Sequence, residues 1–181
     1  MNPPKNELAV AVYDWHTRAE HAVVALKRAG CNMQRISLVG RYDEDQQSRL
    51  GFLNGGDRAR LFDRLGSSWG ALPAMLRHCA AVFVPVRGYV FILGALAATR
   101  IGSLHSAIMF GDINALAGAM SALGVPRGSI SRYETALNAS EFILVAHGDE
   151  QDVYRVGELI EISGLVSFDH LHAREDAAWV A

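Results

Sequence analysis

Near its start the chain carries an unbroken apolar run, ELAVAVYD (Glu7 to Asp14). A Val-rich run of this length between polar residues predicts a strand buried on both faces. A helix is expected next: Thr17 and Glu20 have capping-box spacing, Ala19, Ala22, Val23 and Leu26 recur at helical intervals, and Gly30 supplies a stop. RISLVGRY (Arg35 to Tyr42) then predicts a second strand. The same order returns near the other end. EFILVAHG (Glu141 to Gly148) predicts a strand, and Asp149 caps a helix with apolar positions Val153, Val156, Leu159 and Ile160. Gly164 stops that helix, and LVSFDHL (Leu165 to Leu171) is the last strand.

Two βαβ halves in this order predict an α+β chain with a ferredoxin-like βαββαβ sandwich, formed by 7–42 together with 141–171. Right-handed crossovers put the first and third strands in the centre of an antiparallel sheet. About one hundred residues separate the second and third strands, where a short hairpin would serve. The helical runs RARLFDRLGSSWGAL, AMLRHCAAVFV and DINALAGAMSALG, with a long apolar helix from Gly88 between the last two, predict an all-helical insertion over 57–139. Residues 172–181 are a tail, with Trp179 as its one aromatic and an expected anchor on the sheet or on a second subunit.

GYVFILGALAAT (Gly88 to Thr99) is uncharged and is flanked by Arg87 and Arg100. A membrane-spanning helix needs about 20 mostly apolar residues. These twelve fall short, and Arg64, Arg77, His78 and Asp112 break up the neighbouring segments. A packed helix is therefore expected in place of a span. Small residues recur at every fourth position, Gly94, Ala98, Gly102 and Ser106 in one row and Ala95, Thr99, Ser103 and Ala107 in the next, with Gly66 and Gly70 as a shorter version upstream. Such rows let helix backbones approach closely, within one hairpin or between subunits.

Composition narrows the classes. Half of the 181 residues are apolar, and 17 basic side chains face 19 acidic ones, a balance that argues against disorder and against a nucleic-acid footprint. Cys31 and Cys79 form neither a zinc pattern nor a disulfide framework, and the first apolar run is too short for a signal peptide; a cytoplasmic setting is expected.

Three stretches carry a family resemblance: VAVYDWHTRAEHAVVALKRAG, GFLNGGDRARLFDRLGSSWGAL (Gly51 to Leu72) and ALGVPRGSISRYETALNASEFILVAHG (Ala122 to Gly148). Together they resemble a bacterial family of general-stress, heat-induced-protein-like domains, often labelled hypothetical membrane proteins, over residues 8–162. In those relatives the centre of the insertion is a longer Gly-rich hairpin resembling a membrane-inserting glycine zipper. Here Arg77, His78, Arg87 and Arg100 depart from it. The resemblance implies no catalytic residues; it marks Arg132, Tyr133 and Glu134 as a recurring motif.

Candidate chemistry is sparse. His16 follows the first strand and His147 and His170 fall at the ends of the third and fourth, so in this topology they lie at opposite ends of the sheet and cannot converge. In DHLH (Asp169 to His172) two His at i, i+2 share a strand face, which offers two ligands where a metal site needs three or four, so no metal site is expected. Asp14, His16 and Tyr42 share the end where the insertion begins, where a small pocket is conceivable. LGALAATRIG lacks the strand and glycine spacing of a phosphate turn. The expectation is a non-enzymatic protein without cofactor that assembles with itself through the small-residue stripes. The alternatives are a membrane-associated protein whose hairpin contacts lipid, and a small-molecule or metal-binding sensor.

Overall fold

A computed structural model describes residues 7–42, 71–84, 88–101, 106–110, 117, 118, 120, 121 and 124–172. The first βαβ half is β1 (Glu7–Tyr13), α1 (His16–Arg28), a 3-10 turn (Met33–Arg35) and β2 (Ile36–Tyr42). The insertion supplies α2 (Leu72–Leu76), β3 (Cys79–Val84), β4 (Gly88–Gly94), α3 (Ala95–Ile101) and β5 (Ser106–Phe110). After it come α4 (Arg127–Asn138), β6 (Phe142–Gly148), α5 (Glu150–Glu161) and β7 (Ser167–His172).

The four strands read at the two ends of the sequence form, and β1 and β6 are buried along their whole length. They lie in the order β7-β1-β6-β2, antiparallel at each step, with Val10 opposite Val145 on one side and Asp169 on the other. Alternation along these strands separates two cores. Ala9, Ala11, Tyr13, Leu38 and Leu144 face α1 and α5 through Val23, Leu26, Val156 and Ile160. Leu8, Val10, Val39, Ile143 and Val145 face the other way, towards Ile130, Tyr133 and Leu137 of α4.

The stop signals act as expected. Gly30 and Gly164 take positive φ, and the Asp149 carboxylate accepts from the Asp152 N–H at 2.9 Å at the start of α5. The capping box does not form: α1 begins one residue before Thr17, with Trp15 at the cap position and no side-chain cap. Glu20 instead accepts from the Ala71 N–H at 3.2 Å and ties α1 to the insertion.

The expected all-helical insertion is overturned. The helix from Ala74 stops at Leu76, where Arg77 turns into the left-handed region at φ 66°, and CAAVFV and GYVFILG are strands. An uncharged apolar run reads equally well as a buried helix or a buried strand, and length arbitrates. Pro85, Gly88 and Gly94 cut this region into runs of six and seven residues rich in Val, Phe and Ile, which is strand length. β4 pairs antiparallel with β2, with Val39 opposite Ile92, and with β3; β5 then adds parallel to β3. The seven-stranded sheet thus has the order β5-β3-β4-β2-β6-β1-β7.

Gly94 takes φ +83°, and a Cβ there would stand 2.1 Å from the Ile36 carbonyl oxygen. The backbone turns sharply against β2, and the buried Ser37 hydroxyl accepts from the Leu96 N–H at 2.9 Å to start α3. Phe91 and Leu93 join the first core, while Val90, Ile92, Leu96 and Ala97 join the second. These side chains of the insertion are buried within the subunit. Among the described residues no helix is long and apolar enough to cross a membrane.

Candidate functional site

The small-residue rows do not make one helical face. Gly94 closes β4, Ala95, Ala98 and Thr99 belong to α3, and Ser106 and Ala107 belong to β5 beside Cys79 and Ala80. Gly66, Gly70, Gly102 and Ser103 lie outside the described residues, as does Trp179. Small size at Gly94 is required, but by a strand backbone and not by a second helix.

The histidines divide as the topology requires, because β1 runs antiparallel to both β6 and β7. At the end of the sheet where β1 finishes, Asp14 pairs with Arg18 at 2.9 Å across one helical turn, and the His16 ring meets Phe142 edge-on with centroids 6.3 Å apart. Tyr42 ends β2 opposite Tyr89 at that same end. Two shallow clefts flank α5, and neither Asp14 nor His16 lines either of them.

The loops at this end are bound together. Tyr13 and Ser163 share a hydroxyl hydrogen bond of 2.8 Å, the Val166 N–H donates to the Val12 carbonyl at 2.7 Å, and Arg18 donates to the Gly164 carbonyl at 3.4 Å. On these joined loops Trp15, Ile162 and Val166 are 63%, 84% and 54% exposed. Single exposed apolar residues need no explanation, but these three large ones sit on loops that those hydrogen bonds join.

At the opposite end Glu7, the first residue of β1, is buried although charged. Cross-strand register puts it opposite His172, with His170 two residues back on the same face. Its Oε1 lies 2.7 Å from His172 Nδ1 and its Oε2 lies 3.3 Å from His170 Nε2. Reading the sequence alone missed Glu7. The signal was an acid at the head of a strand apolar on both faces, a position that obliges a counter-charge. His147, on the other face opposite Leu8, is also buried; burial, followed by the nearby Arg35 guanidinium, pushes its pKa down to about 4, so it stays neutral.

The cleft between α1 and α5 contains Cys31, Arg35, Asp152 and Arg155. Arg35 pairs with Asp152 at 2.9 Å, and Arg155 donates to the Ala29 carbonyl at 2.6 Å. Burial raises the Cys31 thiol, opposed by Arg155, and pushes the Cys79 thiol up to about 12. Neither is a ready thiolate nucleophile at neutral pH. Among the described residues, no three or more His, Cys, Asp or Glu side chains stand as a ready-made metal cage.

The Arg132–Tyr133 motif anchors α4 to the edge of the sheet. The buried Tyr133 hydroxyl donates to Asp169 Oδ2 at 2.9 Å and Arg132 donates to the same oxygen at 2.5 Å. Burial, reinforced by Asp169, raises the Tyr133 pKa, so the phenol remains a donor. Asp169→Ala leaves that hydroxyl without its acceptor and is expected to cost about 2–3 kcal/mol in chemical denaturation. Adding Tyr133→Phe should recover part of the loss; full additivity of the two losses would refute the anchor.

No known protein family, curated protein or solved structure matches the chain.

Proposed function

We propose that the chain is a non-enzymatic, self-associating protein of the general-stress kind its motifs resemble. In this reading β7-β1-β6-β2 with α1 and α5 is a ferredoxin-like unit. The strand order, the antiparallel pairing and the shared core of the two helices support that assignment. The insertion widens the unit on the β2 side.

The patch of Trp15, Ile162 and Val166 carries the functional reading. It lies beside the start of β7, the outer strand of the sheet among the described residues, whose far side would offer backbone donors and acceptors for pairing. An apolar cluster next to an open strand is what a two-fold contact between copies uses. Of the segment expected in a lipid-contacting hairpin, Gly88–Gly94 is β4, between β3 and β2 in the sheet.

Size-exclusion with light scattering tests the reading. A discrete homo-oligomer is expected in detergent-free buffer. Ile162→Asp with Val166→Asp should weaken association by at least about tenfold, with folded stability changed by no more than roughly 0.5 kcal/mol because both sites are exposed. A monodisperse wild-type monomer at high concentration would overturn it.

A further inference from the structure

The Glu7 carboxylate poses an unsolved charge problem. Its side chain is 2% exposed, and Oε2 has no hydrogen-bond donor among the described residues. A buried carboxylate oxygen is costly to leave without a partner, and a cation satisfies it. The described groups within 4 Å that can carry positive charge are the imidazoles of His170 and His172. A bound cation shared with those two rings would give the orphaned oxygen a partner.

We propose that Glu7, His170 and His172 bind one divalent transition-metal ion of the zinc class. Two His at i, i+2 on one face of β7, with a carboxylate at the paired position of β1, give two borderline nitrogen donors and one oxygen donor, a set that suits Zn2+, Co2+ or Ni2+. Each carboxylate oxygen already lies beside one ring nitrogen, Oε1 at 2.7 Å from His172 Nδ1 and Oε2 at 3.3 Å from His170 Nε2.

The donors are not yet converged. The two ring centroids are 6.3 Å apart. Two imidazoles on a tetrahedral zinc, with metal–nitrogen bonds near 2.0–2.1 Å, place their centroids about 5 Å apart. Closing about 1 Å requires rotation of the His172 ring, which is 83% exposed. Three protein ligands leave a fourth coordination position for water.

The test titrates ZnCl2 and, separately, CoCl2 into the full chain after chelator treatment. Calorimetry follows Zn2+, and visible absorption follows the tetrahedral Co2+ bands. One ion per chain is expected. His172→Ala and His170→Ala should each weaken binding by at least about tenfold. His16→Ala, at the other end of the sheet, should leave binding unchanged. Because Glu7→Gln risks the fold, the exposed His172 variant decides the matter if Glu7→Gln cannot be purified. No binding at millimolar metal, or binding that survives loss of both His170 and His172, overturns the proposal.

Discussion

Gly94→Ala is expected to lower the melting temperature by roughly 5–15 °C. Two costs combine. A residue with a Cβ held at φ +83° loses about 1–2 kcal/mol, and the added methyl meets the Ile36 carbonyl at 2.1 Å, adding about 1–3 kcal/mol of overpacking. The methyl points at backbone, so no side chain can swing away. Gly128, the second residue of α4, has open space around it, so Gly128→Ala should be neutral or stabilise by up to about 1 kcal/mol. Equal melting temperatures for Gly94→Ala and the wild type would show that β4 does not turn against β2 as described.

The second large effect is a pH dependence set by His147. Its pKa falls from the ordinary 6.5 to about 4, first through burial and then through Arg35. The unfolded chain therefore binds this proton more readily than the folded one between those values, so stability rises with pH across the window. The contribution is complete above about pH 6.5 and is lost as the pH falls towards 4. Its full size is on the order of 3 kcal/mol at about 1.4 kcal/mol per pKa unit. His147→Gln should flatten the stability profile over that window by roughly this amount, measured as the difference between urea-unfolding free energies at pH 7 and pH 4. An unchanged profile would mean that the imidazole titrates alike in both states.

The outer βαβ halves were legible because their signals were local and agreed with one another. Val-rich runs, Asp149 ahead of α5, and the left-handed glycines at 30 and 164 each fixed an element or its end. Thr17 failed as a cap because Trp15 opens the helix, and Glu20 serves a partner at Ala71, 51 residues away, which no local pattern contains. The insertion misled for a related reason. Cys79–Ala81 and Val90–Leu93 bury both faces, so they lack the period-two alternation that marks a half-exposed strand. The helical reading of the small residues came from their spacing. Yet the row from Gly94 to Ser106, in steps of four, takes in a strand end, a helix and a second strand.

The candidate sites were only half readable. His170 and His172 announce themselves as a strand-face pair, but Glu7 meets them only once β1 is known to pair with β7 in the observed register. Likewise Asp169 joins Tyr133 across 36 positions, and the patch of Trp15, Ile162 and Val166 gathers residues from two loops that are neighbours through tertiary hydrogen bonds. Each of these depends on long-range contacts, which a periodicity cannot encode.

That the insertion is part of the sheet is tested most directly by backbone nuclear Overhauser effects on labelled, full-length protein. Cross-strand contacts are predicted between β2 and β4 around Val39 and Ile92, and between β3 and β4 around Ala81 and Phe91, with strand-type carbon shifts over Cys79–Val84 and Gly88–Gly94. Helical i to i+3 contacts running through Ala80 to Leu93, with no contact to β2, would contradict it.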